Sequence, residues 1–416
     1  MPAHNIDCLV VGAGQAGLGV SRELVARGVE HLVLEQGRMG ESWRSQRWDS
    51  FALNTPAWMN RLPGDAAPVN PDDFPSASQF VLGLERYAFS QRLPVREGVT
   101  VRALDRTPEG TAMSVATDEG AFEARAVVVA SGGTRVPRVP TAGAALPASV
   151  LQLHTADYRR AADLPAGGVL VVGGGQSGVQ IAEDLLHAGR DVYLASSAVG
   201  RLPRRYRGRD SFAWLVDDGF FDESRERAMP GPSPQISGAA GGHTLSYQHL
   251  RRMGAVLLGG LAGVAGERVA FRDNLAHNIR FADEASAAFR SRIDAHIARV
   301  GSDAPDADPD AADEPWPGRF VPSSPRRLHL RRAGVRTVIW ATGFDAATSF
   351  VRAPVRGERG RMVHRDGATA LPGLFVTGQT WLRTRRSGTI HGVVADAPHV
   401  AELVLDRLAE HGQIAA

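Results

Sequence analysis

The chain has 416 residues, 47 basic against 45 acidic side chains, a net charge of +2 and 43% hydrophobic residues. Every basic residue is arginine, which excludes a lysine aldimine, a class I aldolase Schiff base and a P-loop lysine. The one cysteine, Cys8, excludes an intramolecular disulfide, a cysteine-rich zinc site and a C-x-x-C dithiol.

At roughly 150 residues per domain the length predicts two or three domains. No continuous arginine stripe with interleaved aromatics is present, so nucleic acid is not an expected partner. MPAHNIDCLVVGAG has no basic n-region or cleavage site, and the longest apolar runs fall far short of about 18 residues, so the expectation is a soluble, cytoplasmic chain without a membrane partner.

In chain order, the apolar run from Ile6 to Val11 meets GAGQAG, helical periodicity follows through Leu18, Leu24 and Val25, and HLVLE resumes at His31–Glu35. This is a βαβ unit. Some 160 residues on, Val169–Val172, GGGQSG, a helix with Val179, Ile181, Leu185 and Leu186, and a strand at Val192–Leu194 repeat the layout. Between the units, AVVVASGG (Ala126–Gly133) reads as a buried strand entering a turn. A strand pair at Ala255–Leu258 and Arg268–Phe271, then an amphipathic helix with Leu275, Ile279, Phe289, Ile293 and Ile297 on one face, are expected to finish the second unit. The acidic, proline-rich Ser302–Gly318 reads as a mobile surface loop. VIWATGFD (Val338–Asp345) and LFVTGQ (Leu374–Gln379) are expected to return to the first sheet. The fold class is therefore α/β with two Rossmann-like dinucleotide-binding domains, the second inserted into a discontinuous first. The expected boundaries are 1–160 and 331–416 for the first domain and 161–330 for the second.

The glycine motifs carry the chemistry. Gly12 permits a tight turn, Gly14 lets a diphosphate approach the backbone, and Gly17 lets the helix pack on the strand, with unpaired N–H donors at the helix start. Gln15 and Ala16 lie within this cradle, and Glu35, followed by Gln36, is placed to accept ribose hydroxyls. In the second unit Gly173, Gly175 and Gly178, with Gln176 and Ser177, repeat the cradle, but Ser196 stands where Glu35 stands in the first, with Ser197 beside it. No acid is there to repel a 2′-phosphate, and Arg201, Arg204 and Arg205 follow, so NADPH is favoured over NADH. A solvated arginine loop is the alternative reading of those three residues. No metal-ligand spacing or G-x-S-x-G elbow is present.

On GAGQAG, ESWRSQRWDSFALNTP, ASGGTRVPRVP (Ala130–Pro140), GGGQSG and ATGFD (Ala341–Asp345), the chain resembles the two-dinucleotide flavoprotein oxidoreductases and, within them, the group B flavin-dependent monooxygenases. The resemblance implies FAD at the first cradle and NADPH at the second. It implies a reaction in which a flavin C(4a)-peroxide oxygenates a small molecule at nitrogen, sulfur or, in Baeyer-Villiger fashion, carbon. Dioxygen and the substrate are the expected partners, and a homo-oligomer is compatible with it. An NAD(P)H:acceptor flavin reductase is the runner-up, and a flavin-binding sensor without catalysis a third reading. The resemblance places Trp43 and Arg44 along the FAD and adds Gly132, Thr342, Gly343, Gly378 and Gln379 to the cofactor contacts. It sets Asn54 of LNTP beside the flavin ring, although an Asx turn explains LNTP equally. It brings the helix after RRSGTIHGVVADA, capped by Ser387 or Thr389, to the flavin pyrimidine edge, with Arg386 and His391 as catalytic candidates or, alternatively, surface and capping residues. The family fingerprint, Phe-x-Gly-x-x-x-His and an aromatic four residues on, is half kept. His154 and Tyr158 are present while Ala148 and Val150 replace Phe and Gly, and His154 reads equally as an interdomain packing residue. Disulfide reductases usually carry Gly-Asp where Gly378-Gln379 stands here, which points away from them.

Overall fold

In the computed structural model, residues 3–226, 233–316 and 324–412 are described. The first domain is built from β1 (His4–Val11), α1 (Gln15–Ala26), β2 (His31–Glu35), α2 (Glu41–Ser45), α3 (Ala77–Ser90), β3 (Val95–Glu97), β4 (Val101–Arg106), β5 (Met113–Thr117) and β6 (Ala121–Val129). Its sheet runs β3-β2-β1-β6-β5-β4, parallel as far as β6. Along β1, Leu9 and Val10, whose side chains alternate between the two faces, are both wholly buried, which is why this strand reads as an unbroken apolar run.

A short strand β7 (Val136–Pro137) leads out of this domain. The second domain contains β8 (Leu151–His154), β9 (Gly168–Val172), α4 (Gln176–His187), β10 (Val192–Ala195), the β11 (Arg205–Tyr206) and β12 (Arg209–Asp210) hairpin, α5 (Ser211–Asp217), α6 (Tyr247–Arg252), β13 (Val256–Leu258), β14 (Leu261–Ala265), β15 (Arg268–Phe271), α7 (Leu275–Val300), β16 (Arg327–His329) and β17 (Val335–Trp340). Then β18 (Phe344–Asp345) leads back to β19 (Leu374–Val376) and α8 (Ile390–Gly412). β19 joins β6 of the first sheet beyond the point where β5 ends, and α8 packs on α1 so closely that a Cβ on Gly19 would stand 2.4 Å from Val393.

Several expectations need correction. β17, part of VIWATGFD, does not return to the first sheet: it pairs with β8 and β9 in the five-stranded order β13-β10-β9-β17-β8. The second sheet therefore reaches from Leu151 to Trp340, wider than the expected 161–330. Its parallel pairing buries Ile339 and Trp340 as fully as the strands of the first sheet, so hydrophobicity could not say which sheet β17 entered. The strands at 256–258 and 268–271 do not pair with each other. β13 closes the main sheet, whereas β15 sits between β14 and β16 in a separate three-stranded sheet. The acidic segment is exposed over most of its described part, as expected of a surface loop, but it is anchored near its end: Asp313 is 3% exposed and accepts from Arg201 Nε at 2.8 Å and from Ser286. Arg252 donates to the carbonyl of Ala311 and Thr244 to Asp310. Carboxylates that would be solvated by themselves are drawn in by buried guanidinium; residues 317 and 318 lie outside the described part.

The two chain crossings between domains are bound to each other. β7 and β18 pair antiparallel, Arg138 Nε donates to the Thr342 carbonyl at 2.9 Å, and the Thr342 hydroxyl returns a bond to the Arg138 carbonyl. His154, at the end of β8, is 3% exposed. Its Nδ1 accepts from Ala156 N–H at 3.1 Å, so Nε2 carries the proton and donates to Gly343 O at 3.0 Å, while the ring edge meets Phe344 at 4.7 Å. Burial lowers its pKa, in keeping with this neutral tautomer.

The loop 237–243 is held to α4 by a charged pair. Glu183, 4% exposed, lies 2.8 Å from Nε2 of His243 and 3.4 Å from that of His249. Nδ1 of His243 faces the Ala239 carbonyl at 3.1 Å, so both ring nitrogens meet acceptors and imidazolium satisfies both. Burial pushes Glu183 up, but the bonds from the two histidines hold it at about 2, and the bond to Glu183 raises His243. The His243 contribution to stability is complete below its ordinary value of 6.5 and is lost as pH rises through the raised folded value. The Glu183 contribution is complete above 4.5 and is lost as pH falls toward about 2. The stability advantage of the natural chain over Glu183→Gln is therefore expected to be greatest between these limits and to shrink on going to alkaline pH. Urea unfolding at pH 5.5 and pH 9 checks this; an advantage independent of pH contradicts it.

Candidate functional site

A cleft of about 410 Å³ opens at the carboxyl ends of β1 and β2, the place where open α/β sheets take ligands. Gly12, Gly14, Gln15, Ala16, Glu35, Gln36, Trp43, Gly132 and Gly378, all named from the sequence, are brought together in its lining. Gly12 has φ +113° and a Cβ on it would stand 2.6 Å from Ala130 O, while a Cβ on Gly17 would stand 1.9 Å from Gly12 O. Both positions therefore require glycine to form the turn. Gly14 differs: it precedes α1 in extended conformation and nothing lies within 4 Å of a Cβ there. The space in front of it is what a diphosphate needs in order to reach the N–H groups of the first helical turn.

Glu35 ends β2 and holds the cradle by accepting from Ala13 N–H at 2.8 Å and Gly37 N–H at 2.9 Å. Each oxygen keeps further acceptor capacity for a ribose. Trp43 Nε1 donates to Gln15 Oε1 at 3.0 Å, fixing the cleft wall. Arg44 points elsewhere, to Glu85 and the Met39 carbonyl, and does not line the cleft. Arg47 does, and sequence reading passed it over. Its guanidinium lies over the rings of Trp43 (4.7 Å) and Phe51 (5.3 Å), it makes no ion pair among the described residues, and burial lowers its pKa to about 10. The spacing of Trp43, Arg47 and Phe51 at four residues was a signal, but only the turn after α2 stacks them. Gln379, 6% exposed, leaves its Nε2 buried without a partner among the described residues. Such a group fits a site that a polar ligand completes. Together these features fit FAD: the first cradle and Glu35 would hold its diphosphate and ribose.

The second cradle repeats the first atom for atom in its essentials. Gly173 has φ +122° and a Cβ on it would meet Ala341 O at 2.3 Å; one on Gly178 would meet Gly173 O at 1.9 Å; one on Gly175 would meet nothing within 4 Å. Gly174 N–H donates to Ser197 Oγ at 2.9 Å, the bond Ala13 makes to Glu35. Ser196 keeps the backbone register of Glu35, Gly173 N–H donating to Ala195 O as Gly12 N–H does to Leu34 O, while the side chain of Ser197 takes over the acid's hydrogen bond. Ser196 turns inward, donating to Leu258 O at 2.7 Å and accepting from Asn278. Gln176 donates to Pro234 O at 2.9 Å, and Ser177 lies half-buried in the first turn of α4.

The three arginines differ in placement. Arg201 is wholly buried, paired with Asp283 and Asp313. Arg204 is 1% exposed and paired with Asp210 at 2.7 Å. Arg205 is exposed, donating to the carbonyls of Gly241 and Gly242. Neither a solvated loop nor an open phosphate grip describes Arg201 and Arg204 as they stand. Thr342 and Gly343 serve the interdomain crossing and do not line the cleft.

Asn54 sits where the domains meet, its Oδ1 accepting from Gln180 of α4 at 2.7 Å. α8 begins at Ile390 with Thr389 as its cap, Oγ1 accepting from Gly392 N–H at 3.1 Å. Gly388, immediately before it, lines the cleft. Arg386 is ion-paired with Asp222 of the second domain. His391 meets the edges of Trp58 (6.2 Å) and Phe221 (6.0 Å), and burial, with Arg386 nearby, takes its pKa to about 4.

The profile of the pyridine nucleotide-disulphide oxidoreductase family matches residues 9–207. A CzcO-like protein of Geobacillus kaustophilus, described as an uncharacterized oxidoreductase, is 29% identical over 97% of this chain and 99% of its own length. The indole-3-pyruvate monooxygenase YUCCA1 of Oryza sativa is 33% identical over 49% of this chain and 51% of its own. A flavin-containing monooxygenase from Stenotrophomonas maltophilia has a structure that superposes with a TM-score of 0.65 at 19% identity, covering 97% of this chain and 99% of that one, and so shares the fold.

The glycines make a prediction that separates binding from folding. Gly14→Ala is expected to keep the melting temperature within a few degrees and to lose bound FAD on gel filtration. Gly17→Ala, whose Cβ has no room, is expected to lower stability by about 2 kcal/mol or more or to prevent folding. Equal loss of stability in both would contradict this division of roles.

Proposed function

We propose that this chain, an oxidoreductase with the two-dinucleotide-binding fold that flavin-dependent monooxygenases share, is an NADPH-dependent FAD monooxygenase acting on a small molecule. The observation that carries the reading is the pair of matching cradles, one backed by Glu35 and the other by Ser197. FAD bound at the first would supply hydride acceptance from NADPH and activation of dioxygen for transfer to the substrate. Cys8 supports this direction of electron flow: it is buried in β1, burial pushes its thiol pKa well up, and the chain has no second cysteine to form a dithiol.

The chain's own residues have distinct parts in this reading. Helix-start N–H groups at Gly14 and Gly175 bind the two diphosphates, and Glu35 takes the adenosine ribose of FAD. The start of α8, next to the cleft-lining Gly388, would with its positive end favour negative charge on a flavin held there. His391, neutral at physiological pH, stands with Trp58 and Phe221 as an apolar, water-excluding wall rather than as a cation. One observation favours the second reading, a flavin reductase without oxygen insertion: Ala148 and Val150 stand at the fingerprint positions, and Val150 is packed in the core of the second domain.

Stopped-flow spectroscopy separates the two. A yellow protein bleached by NADPH that passes through a transient absorbance band on mixing with dioxygen supports oxygenation; direct return to the oxidised spectrum supports the reductase. Cofactor choice has its own test in Ser197→Glu, which puts an acid at the side chain that takes the bond Glu35 takes in the other cradle. The kcat/KM ratio of NADPH to NADH is expected to fall at least tenfold, through loss for NADPH. An unchanged ratio overturns the NADPH assignment at this strand end.

A further inference from the structure

Arg204 belongs to the second domain, yet its guanidinium reaches the LNTP segment of the first. Nη1 donates to the Asn54 carbonyl at 2.8 Å and Nη2 to Asp210 Oδ1 at 2.7 Å, and Asp210 also caps α5 through Phe212 N–H. The guanidinium carbon lies over the rings of both Phe74 (4.9 Å), from the first domain, and Phe212 (4.8 Å), from the second. Its backbone is also tied, N–H donating to Thr244 Oγ1 at 2.7 Å. A buried cation held on this many sides has no freedom to swing out to a phosphate.

Gln180 supplies a second grip. Its Nε2 donates to Ile236 O and to Asn54 Oδ1, both at 2.7 Å. A backbone carbonyl only accepts, so the bond to Ile236 fixes which end of the Gln180 amide faces Asn54. Asn54 must then answer with its oxygen, and its Nδ2, without a partner among the described residues, is left as a donor. The fit around the segment is close: a Cβ on Gly238 would stand 1.8 Å from Leu53 O, and one on Gly242 2.5 Å from Phe74.

We propose that Arg204 and Gln180 are positioning residues: from the second domain they clamp the backbone and the amide oxygen of Asn54, so that α4, the helix of the NADPH cradle, sets the Asn54 N–H donors toward the flavin site. This rests on the reading that Asn54 lies beside the flavin ring. It replaces a direct 2′-phosphate contact as the role of Arg204.

The test uses the FAD-loaded protein carrying Arg204→Met, Arg204→Lys, Gln180→Leu, Asn54→Ala and the double variant Arg204→Met/Asn54→Ala. Hydrogen exchange of the 51–56 backbone, measured without NADPH, should be faster in Arg204→Met and partly restored in Arg204→Lys. The limiting rate of flavin reduction at saturating NADPH should fall about tenfold in Arg204→Met and in Gln180→Leu, with the NADPH to NADH preference unchanged. Arg204→Met should add little to Asn54→Ala. Additive losses, unchanged exchange, or a selective loss of NADPH affinity in Arg204→Met would overturn the proposal. Should Arg204→Met not fold, Gln180→Leu decides by the same readouts. A normal reduction rate in Asn54→Ala, with faster exchange in Arg204→Met, would leave the clamp standing and remove instead the placement of Asn54 at the flavin.

Discussion

Because the chain passes twice between its domains and the two passages pair as β7 and β18, neither domain can be placed independently of the other. Arg138 and Thr342 bond reciprocally across this pair, and neutral His154 ties the end of β8 to Gly343. Short hydrogen-bonded linkers tolerate little rotation. The consequence is that the carboxyl ends of both parallel sheets, where the two glycine cradles lie, are held in one arrangement, and the segments between them are shaped by that arrangement.

Those intervening segments are where the domains exchange residues. Asn54 and Phe74 of the first domain are gripped by Gln180 and Arg204 of the second. On another side, Glu223 and Asp222 of the second domain pair with Arg385 and Arg386 just before α8. Apart from that of Asp222, whose side chain is exposed, the charges in these contacts are largely withdrawn from water, where geometry is costly to alter. The electrostatics thus serve position more than net attraction, as in the stacking of Arg385 between Phe220 and Trp381.

The abundance of arginine has a physical consequence of its own. A guanidinium stays charged on burial, offers five donors in a plane and stacks on aromatic faces. Arg201, Arg204 and Arg47 use these properties in three different ways: a buried ion-pair node, an interdomain clamp and a cleft-lining cation. Residue type does not tell them apart, and Arg201 and Arg204 lie three residues apart on one segment. What separates them is which carboxylates, carbonyls and rings the fold brings within reach.

The amino-acid sequence by itself determined the two cradles, because a turn with φ near +113° and a helix start where a Cβ would stand 1.9 Å from a carbonyl oxygen admit only glycine, and that demand is local. It determined likewise the long amphipathic α7, whose buried Leu275, Ile279, Ile293 and Ile297 recur at helical spacing, and the inserted order of the domains. The tertiary structure alone decided that β17 joins the second sheet, that Asp313 folds in to meet Arg201, that Ser197 takes the bond Glu35 takes in the other cradle, and that Arg204 faces Asn54. Each of these joins residues far apart in the chain, and periodicity or composition carries no record of which distant partner closes a hydrogen bond or an ion pair.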